Sequence, residues 1–292
     1  MANARNQSES SVKPKLRPLV SESCLGPDGV EITAMPASYD FLRSVQIWQG
    51  APKTGKTSTA AALGPVAKRL GIPEIKPFFM LFEPGSGGVE ISGTSEKCEC
   101  GGKKGCVDCE GVGIKRKILT TLDDMTKWYT WAGKSKFNPI VIDTGDGMFQ
   151  VISDCVCLKM GITNPTQAEH GAAWLDIFDE MREKISILTG AGKSVVMLMH
   201  VYMMEKRVKG GSIQVATFNV SGKSRQFLAG LANQILHFEV VPDGEGDKHI
   251  ISTRAKSGVE AGDHWGVMPD ELDRGDTPEK AAEAILKCFY EV

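Results

Sequence analysis

The chain has 292 residues, 41% of them apolar and 24% charged, with a formal net charge of −2. This is the balance of an ordinary folded protein, long enough for one large α/β domain with insertions. A charge so near neutrality excludes a global field that would draw the molecule to nucleic acid or membrane, so either must be bound through local patches. No apolar run approaches the ~20 residues needed to span a bilayer, and no apolar h-region opens the sequence. A cytoplasmic location is therefore expected, in which the eight cysteines are reduced and available to metal.

Residues 1–38 are rich in Ser, Pro, Lys and Asn and are expected to form a mostly disordered tail, with the globular domain occupying 39–292. Residues 44–48 read as a short alternating strand. It runs into Gly50-Ala51-Pro52-Lys53-Thr54-Gly55-Lys56-Thr57-Ser58, which fits G-x-x-x-x-G-K-[ST], the loop that wraps nucleotide phosphates. Gly50 and Gly55 let the backbone turn sharply and bring N–H groups to phosphate oxygens. Lys56 places a point charge on the β/γ-phosphates, and the Thr57 hydroxyl can ligate Mg²⁺, so ATP and Mg²⁺ are the expected ligands. An alanine-rich helix follows to about residue 70.

After the Gly71-Ile72-Pro73 break, residues 78–82 form a continuous apolar run, as in a strand buried on both faces, ending in Glu83-Pro84-Gly85. An insertion at 86–117 is rich in Gly and Cys. Within it Cys98, Cys100, Cys106 and Cys109 are spaced C-x-C-x5-C-x2-C, four thiolates within reach of one tetrahedral zinc; a reducing compartment argues against a disulfide pair instead. Four thiolates leave no open position, so a structural zinc knuckle is expected. Residues 106–113 also look like one half of the zinc repeats of DnaJ chaperones, a likeness confined to those eight positions. Lys103, Lys104, Lys115, Arg116 and Lys117 surround the cluster, either to contact phosphates or to solvate a loop.

Helical periodicity returns at 120–131, and residues 139–144 form an apolar strand stopping at Asp143. A helix at about 172–188 aligns Trp174, Ile177, Phe178, Met181, Ile185 and Leu188, and a buried strand over 194–200 ends in His200. Strands near 235–241 and 249–254 and a helix over 278–290 complete the chain. Apolar strands alternating with helices imply a mostly parallel sheet covered on both faces.

At the ends of these strands stand the candidates for chemistry. Asp143 is placed to partner Mg²⁺ beside Thr57, or else to cap a helix, and Asp146 could assist or cap in the same way. Hydrolysis needs a group that orients or deprotonates water. Glu83 ends a strand on the ligand-binding edge, the alternative being an exposed turn carboxylate before Pro84. His200 can donate a hydrogen bond that senses the γ-phosphate, or be purely structural.

The succession of phosphate loop, strand ending in Glu, strand ending in Asp, long helix and strand ending in a polar residue resembles the RecA-like ATPase core. More narrowly, 82–85, 173–177, 196–200 and 254–257 resemble the phage-encoded AAA-type nucleotide-binding proteins of the RecA/Sak group, which act in single-strand annealing and recombination. The resemblance, over about 45–268, implies that Glu83 activates water and His200 is the sensor. It implies a DNA-facing loop from His200 to about Arg225, with Lys206, Arg207, Lys209, Lys223 and Arg225 facing single-stranded DNA; the residues alone allow a flexible, basic loop or hairpin. It also implies homo-oligomers, filament or ring, and replication or recombination proteins as partners. Arg254 and Lys256 fall where such proteins reach a neighbouring subunit's γ-phosphate, although the position of the second lysine is Gly258 here. The readings carried forward are a DNA-dependent ATPase, a P-loop motor or loader whose zinc module docks a protein, and a nucleotide-binding module without turnover.

Overall fold

The computed structural model describes residues 24–25, 31–32, 39–84, 89–102, 104, 114–209, 211–220, 222–242, 244, 247–256 and 258–291. In chain order the strands are β1 (Cys24–Leu25), β2 (Glu31–Ile32), β3 (Val45–Gly50), β4 (Phe78–Leu81), β5 (Ser95–Lys97), β6 (Ile114–Arg116), β7 (Ile140–Asp143), β8 (Val195–Val208), β9 (Gly211–Phe218), β10 (Gln234–Pro242), β11 (Asp247–Ser252), β12 (Gly262–Asp263) and β13 (Glu271–Asp273). The α-helices are α1 (Lys56–Arg69), α2 (Leu122–Lys134), α3 (Gly145–Met160), α4 (Ala172–Gly190), α5 (Gly222–Leu231) and α6 (Pro278–Phe289).

The central sheet runs β13-β11-β10-β3-β8-β7-β4. From β10 to β4 every neighbour is parallel, and β11 and β13 extend the far side antiparallel. The strand carrying the phosphate loop, β3, is thus separated from the Asp143 strand, β7, by β8. This is the mostly parallel, helix-flanked sheet that the alternation of apolar strands and helices predicts.

Each face of the sheet carries its own core. Ala60, Leu63, Val66 and Ala67 of α1 join Ala281, Ile285, Leu286 and Phe289 of α6 over Trp48, Phe79, Val141, Val196 and Leu198. On the other face α2, α3, α4 and α5 cover Ile47, Met80, Ile142 and Met197. Cover on both sides explains why β4 and β7 are apolar without alternation and why all of β3 is buried, including Gln46 and Gln49. Gln46 remains tolerable there because it accepts from Trp48 Nε1 (2.8 Å) and donates to Ser44 Oγ (3.0 Å). The open edge of β4 is closed by the chain entering the insertion: Phe79 N donates to Ser92 O and Thr94 N to Phe79 O, both at 2.8 Å.

Two parts go beyond the sequence reading. Beyond His200, of the loop or hairpin that the residues allow, the chain forms the hairpin: β8 continues to Val208 and pairs antiparallel with β9 alone, from Val201↔Phe218 to Val208↔Gly211. Its neighbours β3 and β7 end opposite His200 and Leu198, so the continuation leaves the sheet as an arm. The outer part of the arm is exposed and needs no apolar alternation, whereas Ala216, Thr217 and Phe218 bury its root. The cysteine insertion is closed at its root by the β5–β6 ladder, Ser95↔Arg116 to Lys97↔Ile114. Cys98 is buried and Cys100 half-buried, whereas Cys106 and Cys109 lie outside the described residues. Of the expected tail, only the two-residue β1–β2 ladder is described.

Candidate active site

Parallel strands bring their C-terminal ends to one edge, and there β3, β4, β7 and β8 deliver the loop, Glu83, Asp143 and His200. The loop leaves β3 at Gly50, where an added Cβ would strike the Phe238 carbonyl of β10. It enters α1 through Gly55, whose φ of 86° is left-handed and which packs against the Arg274 guanidinium. Arg274, buried and just after β13, donates to the Thr54 carbonyl, while its Nε is buried with no partner among the described residues. Sequence reasoning missed this residue, because nothing in a lone Arg beyond an edge strand marks it as a brace for the loop.

Lys56 is 6% exposed and donates to the carbonyls of Gly50 (2.8 Å) and Ala51 (2.9 Å). Burial pulls its pKa down to about 8, against the pull of Asp146, Asp143 and Glu83 in the other direction. Thr57, in the first turn of α1, holds its hydroxyl 3.3 Å from Asp143 Oδ2. Burial drives Asp143 up to about 6, although Thr57, His200 and Lys56 all favour the carboxylate and Glu83 opposes it. A hydroxyl and a carboxylate side by side are hard oxygen donors, and they fit Mg²⁺.

Glu83 does not point away as a turn carboxylate. Its Oε1 accepts from Thr144 Oγ1 at 2.6 Å, and the same hydroxyl accepts from Gly147 N (3.1 Å) at the start of α3. Thr144 therefore fixes Glu83 and caps α3 together, a double role that its place directly after the Asp143 strand could have signalled. Asp146 is oriented toward β8 rather than toward Thr57: Oδ1 accepts from His200 N (3.0 Å) and Oδ2 faces His200 Nδ1 (2.9 Å). These contacts raise the His200 pKa, and in return they outweigh the burial of Asp146 and lower its own. With Nδ1 engaged, Nε2 is the ring position left to meet a ligand. Glu83, Asp146 and His200 offer ligand atoms that all lie within 4.8 Å of one another.

The remaining predicted residues fall into two groups. Lys206, Arg207 and Lys209 are exposed at the end of the β8–β9 arm, and Lys223 and Arg225 open α5 at its base, with Arg225 Nη1 on Met204 Sδ (3.0 Å). Arg254 and Lys256 are exposed on the strand-exit loop and are paired within the chain, to Asp270 (2.8 Å) and Glu271 respectively. The arm is not isolated from the phosphate loop. Ala216 N donates to Gly258 O (2.7 Å), Glu260 N to Ala216 O (3.1 Å), and Thr217 Oγ1 to the Glu260 carboxylate. Gln49, the residue before Gly50, donates to the Glu260 carbonyl.

No helix among the described residues is long and apolar enough to cross a membrane. No curated protein sequence matches the chain. Among solved structures, a KaiC-like protein of the hyperthermophilic archaeon Pyrococcus horikoshii is similar, with a TM-score of 0.40 at 12% identity over 75% of this chain and 84% of that one. Residues 44–265 match the family model described as an AAA domain. That match takes in the phosphate loop, both acid-bearing strands, the His200 strand and the arm, most of the chain. With the loop, Lys56, Thr57 and Asp143 assembled at one sheet edge, the chain is a P-loop nucleotide-binding protein belonging to the AAA domain family.

Proposed function

We propose that the protein hydrolyses ATP and couples the cycle to single-stranded DNA held by the β8–β9 arm. The observation that carries hydrolysis is the Glu83 carboxylate, fixed by Thr144 beside the Thr57–Asp143 pair rather than turned to solvent. Lys56 and the loop amides would gather the phosphate charge, and the half-buried Glu83 would take the proton of the attacking water. His200, oriented through Asp146, would present Nε2 as the donor toward the terminal phosphate. Bound Mg²⁺ supplies charge neutralisation on the phosphates, with Thr57 and Asp143 as its protein contacts.

The DNA part rests on Lys206, Arg207 and Lys209 at an exposed arm whose root is linked through Glu260 to Gln49. A change at the loop on hydrolysis has a covalently short and hydrogen-bonded route to the arm. Recombination or replication of phage DNA, self-assembly into a filament or ring, and the role of Arg254 and Lys256 in reaching a neighbouring subunit belong to this same reading. Zinc on Cys98, Cys100, Cys106 and Cys109 is proposed as a structural staple above the β5–β6 root.

Steady-state ATPase with and without an oligothymidylate tests the reading. DNA is expected to stimulate turnover. Reversing Lys206, Arg207 and Lys209 to Glu is expected to abolish the stimulation, leave basal turnover unchanged, and lower the slope of log affinity against log salt by about two to three. Turnover indifferent to DNA would assign the protein to the motor or loader class.

A further inference from the structure

At the opposite end of the sheet from the nucleotide site, the first residue of β4 and the last turns of α2 form an aromatic pocket of about 410 Å³. Phe78 is its floor. Trp128 stacks on Phe78 at 5.9 Å with 23° between the rings, and Trp131 stands across both, 4.9 Å from Phe78 and 5.4 Å from Trp128. Gly93 and Ser95, from the segment that seals the β4 edge, form the far wall. Trp131 is 44% exposed, so its ring is only partly used by the fold.

The rim is basic. Lys127, Trp131 and Lys134 stand at i, i+4 and i+7 and share one face of α2, and Lys136 follows just beyond the helix. Lys127, Lys134 and Lys136 are exposed and form no ion pair with any described residue. Asp124 of the same helix is instead taken by Lys117 at 2.9 Å. Asp123, the other acid of the helix's first turn, lies a turn further from Trp131 than Lys127 does.

An exposed indole beside an aromatic pocket, with Lys127 in its lining and Lys134 on the same helix face, matches a stacked base with its flanking phosphates. A docked protein segment would more often meet an apolar surface with a charge-poor centre. We propose that this pocket is a second nucleic-acid contact, in which Trp131 stacks on a base of a single strand and Lys127 and Lys134 meet the adjacent phosphates. It is distinct from the arm and does not depend on it, because the pocket lies at the N-terminal ends of the strands and the arm at their C-terminal ends.

The test uses the full chain, an oligothymidylate of about 20 nucleotides, and an abasic chain of equal length, longer than the site sizes of single-strand binders. Binding is followed by tryptophan emission and by anisotropy of a labelled strand. The oligothymidylate should quench emission and the abasic chain should not. Trp131→Ala should weaken oligothymidylate binding about tenfold and remove most of the quench, as expected for one stacked base. Lys127→Glu combined with Lys134→Glu, which leaves the rings in place, should weaken binding while near-ultraviolet circular dichroism stays unchanged. Equal binding by parent and both variants would overturn the proposal, as would equal quenching by the abasic chain. Quenching by an aromatic peptide but not by the oligothymidylate would overturn it in favour of a protein partner. Loss of binding in the pocket variants alone, with the arm reversal silent, would uphold this site and remove the arm.

Discussion

Asp143→Asn separates what this carboxylate costs the fold from what it does for the chemistry. Burial raises its pKa from 3.8 to about 6 in the native state. The native chain then binds its proton more tightly than the unfolded chain does, so stability falls as pH rises from 3.8 to about 6 and stays reduced above that. A shift of that size corresponds to about 3 kcal/mol at pH 7. Asparagine removes the penalty but also takes away one of the charges supporting Lys56, so a net gain of about 1–3 kcal/mol is expected at pH 7. For a domain of this size that is a rise of roughly 3–8 °C in melting temperature. The assay is thermal unfolding of parent and variant in EDTA without nucleotide, at pH 4, 5.5 and 7. The difference should be near zero at pH 4 and full at pH 7. MgATP should stabilise the parent far more than the variant, because the metal offsets the same charge. A variant less stable than the parent at pH 7, or a difference that does not change with pH, would refute the electrostatic account of this site.

Two further substitutions test how the site is held. Gly55→Ala places a side chain at a φ of 86° and onto the Arg274 guanidinium. It should cost about 1–3 kcal/mol in urea unfolding and abolish binding of a fluorescent ATP analogue; parent-like binding would mean that the loop has another conformation. Asp146→Asn removes the acceptor that raises the His200 pKa. Proton NMR of His200 should show its titration moved down, toward or below the ordinary 6.5. The alkaline limb of turnover should move down with it, and an unshifted resonance would show that Asp146 does not tune the histidine.

Much of the site was legible because its residues stand at the ends of apolar runs. Glu83, Asp143 and His200 each close such a run, and a parallel sheet must bring the closing residues to one edge. The loop at 50–58 was legible from its glycines and Lys56. What the sequence could not reveal depends on contacts between distant segments. Arg274 is more than 200 positions from the Thr54 carbonyl it braces, and Glu260, outside the strands, joins Gln49 of β3 to Thr217 of β9. Asp146 was legible as a polar residue near the metal position, but its partner was decided by the α3 start facing β8 at His200. The arm beyond His200 was legible as a loop or hairpin without a choice between them, for a different reason. Tyr202-Met203-Met204-Glu205-Lys206-Arg207 has no strict alternation because this part of the arm is exposed or half-buried, away from the root that Ala216, Thr217 and Phe218 bury, so its charge was the visible signal.

The central claim is that Glu83, fixed by Thr144, is the group that activates water in an ATP-binding site built on Lys56, Thr57 and Asp143. Glu83→Gln keeps the size and the hydrogen bond with Thr144 but cannot take a proton. Single-turnover hydrolysis of ATP, measured beside equilibrium binding of the same nucleotide, tests the claim most directly. The prediction is parent-like affinity with hydrolysis slowed by about 10²–10⁴-fold. Hydrolysis at the parent rate would contradict it, and so would loss of binding in place of loss of turnover.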